Sequence, residues 1–159
     1  MRLLSPEFTV RVLLIASLPS RLRHGTPAQI LEWFRPGTLI VVAGAEKGIA
    51  AFAASFPYST RPCYAEIGEF SVYGARDQRR QGAGRVVLSA LIEAARTSRL
   101  HKLTSRVFPE NAASRALLRR LGFSEIGTHR RHGKLDGNWR DSVIVELLLD
   151  EESLSTAPE

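Results

Sequence analysis

The order of apolar and polar positions divides this chain into strands and helices. Residues 8–15 are dominated by β-branched and apolar side chains and predict a first strand. Thr26-Pro27 supplies an N-cap with proline at the first helical position, so residues 28–35 predict a short helix stopped by Pro36-Gly37. Apolar runs at 38–43 and 49–56 are joined by Ala45-Glu46-Lys47-Gly48 and predict a hairpin. Residues 55–63 hold two prolines and several turn formers, and mark a loop feeding a strand over about 65–73.

The second half is more helical. Val87, Leu88, Leu91, Ala94 and Ala95 share one face of a helix over about 84–99. Residues 102–108 read as a strand, and 111–121 as a helix ended by Gly122, a natural left-handed stop. Residues 123–127 and 142–149 predict the final strands, with 129–141 a polar segment between them. The order is strand, helix, three strands, helix, strand, helix, two strands. That is an α/β chain with a largely antiparallel first half, unlike the strict alternation of a doubly wound fold. Residues 1–149 are expected to form a single domain, and the acidic residues 150–159 a disordered tail.

Composition narrows the function classes. No apolar run reaches the length of a membrane span and the first residues lack a signal-peptide pattern, so the expected compartment is the cytoplasm. Cys63 is the sole cysteine, which excludes an intrachain disulfide and a cysteine-based zinc site. Residues 150–159 carry four acids and no base, so the net charge of +6 becomes about +10 over residues 1–149. Nineteen of the 22 basic residues are arginine, whose planar fork suits phosphate and carboxylate oxygens. Anionic partners fit that balance, and a plainly solvated basic surface fits it equally.

The candidate chemistry lies in Glu69-Phe-Ser-Val-Tyr73 and the following Arg79-Arg-Gln-Gly-Ala-Gly84. Strand alternation puts Glu69, Ser71 and Tyr73 on one face, Phe70 and Val72 on the other. A carboxylate buried in a central strand has its pKa raised toward the range of a general base, whereas on an edge strand it would simply sit in water. Glu66 is the weaker candidate, read as a loop or surface acid. Glycines at 82 and 84 bare the main chain and permit positive φ at the mouth of a helix, which together suit a pyrophosphate. An ordinary glycine turn explains the same spacing. The dinucleotide fingerprint is excluded because no third glycine follows.

Arg79-x-x-Gly82-x-Gly84 resembles the coenzyme A pyrophosphate loop of the GNAT acetyltransferase superfamily. Asn111-x-x-Ser114-x-x-Leu117-x-x-x-Leu121-Gly122-Phe123 is similar to that family's next helix and turn. Glu69-x-Ser-Val-Tyr73, Phe108-Pro-Glu-Asn111 and Asp136-Gly-Asn-Trp139-Arg-Asp141 resemble the branch of phosphinothricin and arsinothricin N-acetyltransferases. The likeness covers residues 57–149, and the first 50 residues match poorly.

The resemblance implies the GNAT fold, a mixed, mostly antiparallel central sheet flanked by helices. It implies acetyl-CoA as cosubstrate, a small, amino-acid-like amine as acceptor, and a homodimer; a peptide or protein amino terminus or another amine as acceptor, and a CoA-binding sensor without turnover, are the alternatives. Glu69 would be general base through water, and the Val72 N–H would receive the thioester oxygen. Arg79, Arg80, Gln81, Gly82, Ala83 and Gly84 would hold the pyrophosphate. Asn111 and Ser114 would contact the cofactor, although an N-cap role explains Asn111 equally. Arg61 would bind an acidic acceptor group, with Tyr64 and Tyr73 lining the pocket; an exposed loop arginine and core tyrosines are the plainer alternatives. Where the family carries a histidine or tyrosine acid, this chain has Leu118, which leaves the thiolate proton to water, the amine or Tyr73. The basic stretch 129–134 near Trp139 and Arg140 matches the family's loop beside the active site, and without a recognisable module it argues against nucleic acid. His129 and His132 have only Asp136 as a third ligand nearby, which argues against a metal.

Overall fold

The computed structural model describes residues 9–13, 38–45, 48–76 and 80–149. Seven strands form one sheet: β1 (Thr9–Leu13), β2 (Leu39–Ala45), β3 (Gly48–Pro57), β4 (Ile67–Gly74), β5 (Lys102–Val107), β6 (Ser124–Leu135) and β7 (Asn138–Leu148). Their spatial order is β1-β2-β3-β4-β5-β7-β6, and only the β4/β5 pair is parallel. Two α-helices lie among the described residues, α1 (Ala83–Thr97) and α2 (Ala112–Arg120). The chain is therefore α/β with a mixed, mostly antiparallel sheet, as its sequence implies. The expected helix at 28–35 and the tail at 150–159 lie outside the described residues.

Parallel pairing of β4 with β5 requires a crossover, and α1 supplies it. Its apolar stripe (Val87, Leu88, Leu91, Ile92, Ala95) is buried against Leu39, Val41, Ala51, Ala53, Phe70 and Leu103 of the sheet. Leu118 of α2 and Phe123 join the same core, and the Phe123 ring sits 5.0 Å from that of Phe70. Both described helices thus cover one face. β3 is buried on both faces, with Phe52 and Ala54 closed off on the side away from α1. No helix among the described residues is long and apolar enough to cross a membrane.

One expectation fails. Residues 129–141 are not a polar segment between two short strands but most of a long β6/β7 hairpin. The turn is Asp136-Gly137, both at positive φ (49° and 79°), the dipeptide that primed hairpin turns favour. β6 is almost wholly exposed, so it carries no apolar alternation from which a strand can be read.

Candidate active site

β4 carries the centre of the site. It pairs with β3 through Phe56↔Glu69, Ala54↔Ser71 and Phe52↔Tyr73, on the face away from α1. Gly68, Phe70 and Val72 turn to the helical face, and Phe70 is fully in the core. The observed alternation is the one that the sequence predicts.

The main chain of β4 bonds to its two neighbouring strands over different lengths. At the two ends of the β3/β4 ladder, Tyr58 N–H donates to Ile67 C=O (3.0 Å) and Ala75 N–H to Ala50 C=O (2.8 Å). In an antiparallel ladder these bonds recur at every second residue, so residues 67, 69, 71 and 73 bond to β3. Gly68, Phe70 and Val72 therefore aim their amides toward β5. Pairing with β5 runs only from Ile67↔Lys102 to Glu69↔Thr104. Beyond it the strands part, and Phe70 C=O accepts from the Ser105 hydroxyl at 2.7 Å. The Val72 amide points into that opening. Ser105 is a member of the site that the sequence reading missed, because a mid-strand serine carries no signal of its own.

Helix α1 opens nearby. Gly82 is its N-cap at φ 85°, with no side-chain cap and no acid in the first turn. Arg80 just before is also left-handed, at φ 67°. The first helical bond recorded is Val86 N–H to Gly82 C=O, so the preceding amides have no acceptor within the helix. Arg80, Gln81 and Gly82 are exposed, whereas the Ala83 methyl is buried and offers only its backbone. Arg79 lies outside the described residues. The two glycines differ from the expectation that both face a ligand. A Cβ on Gly82 would meet open space, but one on Gly84 would stand 3.5 Å from Leu117 Cδ2 of α2. Gly82 supplies the backbone turn, and Gly84 faces the neighbouring helix.

Asn111 is seen in its capping role, its Oδ1 accepting the Ser114 N–H at 3.1 Å. Leu118 is buried in the core, so no proton donor stands at that point of α2. Arg61 is exposed and leads the short turn Pro62–Tyr64, while the Tyr64 ring meets Tyr58 edge-on at 5.8 Å. Tyr73 stacks on Phe52 at 4.8 Å. Glu66 sits exposed in the turn before β4.

Glu69 departs from the desolvated carboxylate that its strand position suggested. It is 37% exposed and ion-paired with Arg106 of β5. The other Arg106 terminal nitrogen lies 3.3 Å from His132 Nε2, and the His132 ring stacks on His129 at 4.4 Å. His132 reaches this point through a bulge in β6, where residues 130–132 face a single residue between the pairs His129↔Ser142 and Gly133↔Arg140. Arg131 takes a left-handed φ of 49° there, and its N–H donates to the Asp141 carboxylate at 2.8 Å. Arg106 escaped the sequence reading because only the parallel β4/β5 register puts it on the Glu69 face.

The chain as a whole is similar to known proteins. The acetyltransferase (GNAT) family profile matches residues 6–123. The chain belongs to the GNAT acetyltransferase family. The match begins well inside the opening 50 residues, where motif likeness is poor. This GNAT chain is 40% identical over 124 residues to the L-methionine sulfoximine/L-methionine sulfone acetyltransferase of Pseudomonas paraeruginosa, covering 74% of this chain and 72% of that one. A phosphinothricin acetyltransferase from Sinorhizobium meliloti, solved in complex with acetyl-CoA, superposes with a TM-score of 0.72 at 26% identity, covering 83% and 71% of the two chains. A ribosomal-protein-alanine N-acetyltransferase from Brucella melitensis gives 0.72 at 33% identity, over 76% and 75%.

Proposed function

We propose that this GNAT chain transfers the acetyl group of acetyl-CoA to the amino group of a small amino-acid-like acceptor. The observation that carries the reading is the parting of β4 from β5, which turns the Val72 amide toward an opening on the strand that bears Glu69. Acetyl-CoA fits the residues present. The uncapped amides around Gly82, with no acid in the first turn, suit its diphosphate, and Arg80 and Gln81 stand exposed beside them.

An amine of ordinary pKa is almost wholly protonated at neutral pH, so one proton must leave before attack. Glu69 takes it through water. The nitrogen lone pair then forms the C–N bond, the C–S bond breaks, and the second nitrogen proton passes to the thiolate by way of water or Tyr73. The Val72 N–H donates to the carbonyl oxygen as charge builds there, a contribution on the order of 3 kcal/mol for one well-placed donor. Arg61 and Tyr64 are assigned to the acceptor's side chain. The activities of the Pseudomonas and Sinorhizobium proteins, on methionine sulfoximine and phosphinothricin, support an amino-acid-like acceptor. The Brucella protein supports a second reading, acetylation of a protein amino terminus. On the family resemblance the proposal extends to a cytoplasmic homodimer, which sedimentation tests.

The deciding experiment is thiol release from acetyl-CoA with a panel of free amino acids, methionine sulfoximine, phosphinothricin and alanine-terminated peptides. We expect release with the free amino acids or their analogues, and a fall of about 100-fold or more in Glu69→Gln. Release with peptides alone would establish the second reading. An unchanged rate in the variant would remove Glu69 from the chemistry.

A further inference from the structure

The Glu69–Arg106 pair is oddly placed for a general base. A carboxylate whose oxygen already accepts from a guanidinium has fewer lone pairs with which to receive a proton from water or an amine. Both side chains are more than a third exposed at the mouth where β4 and β5 part. There solvent screening makes a pair of this kind weak, so it can be exchanged at little cost. An acid and a base held in contact at an open mouth match the two charges of a zwitterion.

We infer that Glu69 and Arg106 together form the recognition site for the head group of an α-amino acid, which binds by inserting between them. The inference rests on the acetyltransferase reading above. The acceptor's ammonium meets Glu69, and its carboxylate takes the Arg106 fork in place of Glu69. Each partner of the old pair gains a new one, so no charge is left unpaired. Arg106 suits the part because its planar guanidinium matches a carboxylate through two parallel N–H···O bonds. The ammonium is thereby delivered to the carboxylate that must deprotonate it, beside the opening faced by the Val72 amide.

The surroundings of Arg106 favour this use. His132 stands 3.3 Å from one terminal nitrogen of the fork, on the side away from Glu69, and His129 backs His132 by stacking. The bulge that brings His132 there is tied by the Arg131 N–H to Asp141. His132 thus holds the terminal nitrogen that Glu69 does not, which keeps the guanidinium at the mouth when Glu69 lets go. His132 and Asp141 are positioning residues in this scheme, and Arg106 is a substrate-binding residue. The acceptor class follows: an amine adjacent to a free carboxylate, as against a bare amine, an ester or an amide.

The test pairs one amino acid accepted by the wild-type enzyme with its methyl ester and its decarboxylated amine. The free acid should exceed both in kcat/KM by about 10- to 100-fold. Arg106→Gln should lose that preference, its ratio of kcat/KM for acid over ester falling toward one, with the larger loss in KM for the free acid. Arg106→Lys should recover only part, because it keeps the charge without the fork. An equal loss on acid and ester in Arg106→Gln, or a wild-type enzyme indifferent to the carboxylate, would overturn the inference. Calorimetry with the free amino acid and coenzyme A supplies an arm that does not need turnover. Uptake by the wild type that is lost in Arg106→Gln upholds the site even if no thiol is released, which would count against the acetyltransferase reading alone; uptake unchanged in the variant sinks the site.

Discussion

Of the glycines Gly48, Gly68, Gly74, Gly82, Gly84, Gly122, Gly127, Gly133 and Gly137, Gly68 has the least room to change. A Cβ there would stand 2.3 Å from Ser55 Oγ, 3.0 Å from Leu103 Cδ2 and 3.1 Å from Leu100 Cδ1, all within the packed face under β3 and β4. Gly68→Ala should therefore cost about 1–3 kcal/mol through overpacking, read as a lower denaturation midpoint. The Ser55 hydroxyl is buried and finds no hydrogen-bond partner among the described residues, so Ser55→Ala alone should be nearly neutral or stabilising. Combined with Gly68→Ala it should return part of the loss. A double variant no better than the single one would move the clash from Ser55 to the two leucines. The position bears on the proposed chemistry because Glu69 is the next residue along the strand.

At the scale of elements, α2 buries Leu118 in the core and adds an ion pair to the sheet. Arg115 donates Nε and Nη2 to the two Glu125 oxygens at 2.8 Å each, and Nη1 to Pro109 C=O at 3.0 Å. This ties the helix to β6 and to the turn that leads to Asn111. The hydrogen bond from Arg115 holds the Glu125 carboxyl below the usual carboxylate range, and partial desolvation opposes it. Because the folded pKa is the lower one, this stabilisation is in place above the unfolded value of about 4.3 and is lost as pH falls through the folded value. Glu125→Gln should melt below wild type at pH 7, with the gap closing as melts are repeated down to pH 3. A gap that stays constant with pH would mean that the pair contributes nothing through its charge.

On the scale of the whole molecule, the proposed binding of acetyl-CoA at the mouth of α1 would couple that mouth to global stability. A ligand present at about 100 times its Kd stabilises by roughly 2.7 kcal/mol, worth some 5–10 °C in a chain of this size. Acetyl-CoA should produce such a shift in a thermal melt. Gly82→Val puts a β-branched residue at φ 85°, at a cost of about 1–2 kcal/mol, and reorients the uncapped amides. It should still fold and lose most of the shift; a full shift in this variant would place the diphosphate elsewhere.

Much of this was legible in the order of residues because local rules act over a few positions. Period-two alternation puts Glu69, Ser71 and Tyr73 together, period-3.6 spacing makes the α1 stripe, and a left-handed glycine before a helix marks its open end. Each depends on backbone geometry that a residue shares with its near neighbours. The Asp136-Gly137 turn was equally local, yet without apolar alternation in β6 it did not suffice to identify the long hairpin. The direction of the Val72 amide and the parting of β4 from β5 depend on ladder phase, which pairs residues far apart in the chain. Arg106 and His132 reach Glu69 from strands 37 and 63 residues further on, through a parallel register and a bulge. The sequence by itself determined which residues carry the family's motifs and which of them share a strand face or a helix mouth. Only the tertiary structure decided that the candidate base is neutralised by an arginine, because an ion pair depends on distance in space and is blind to separation along the chain.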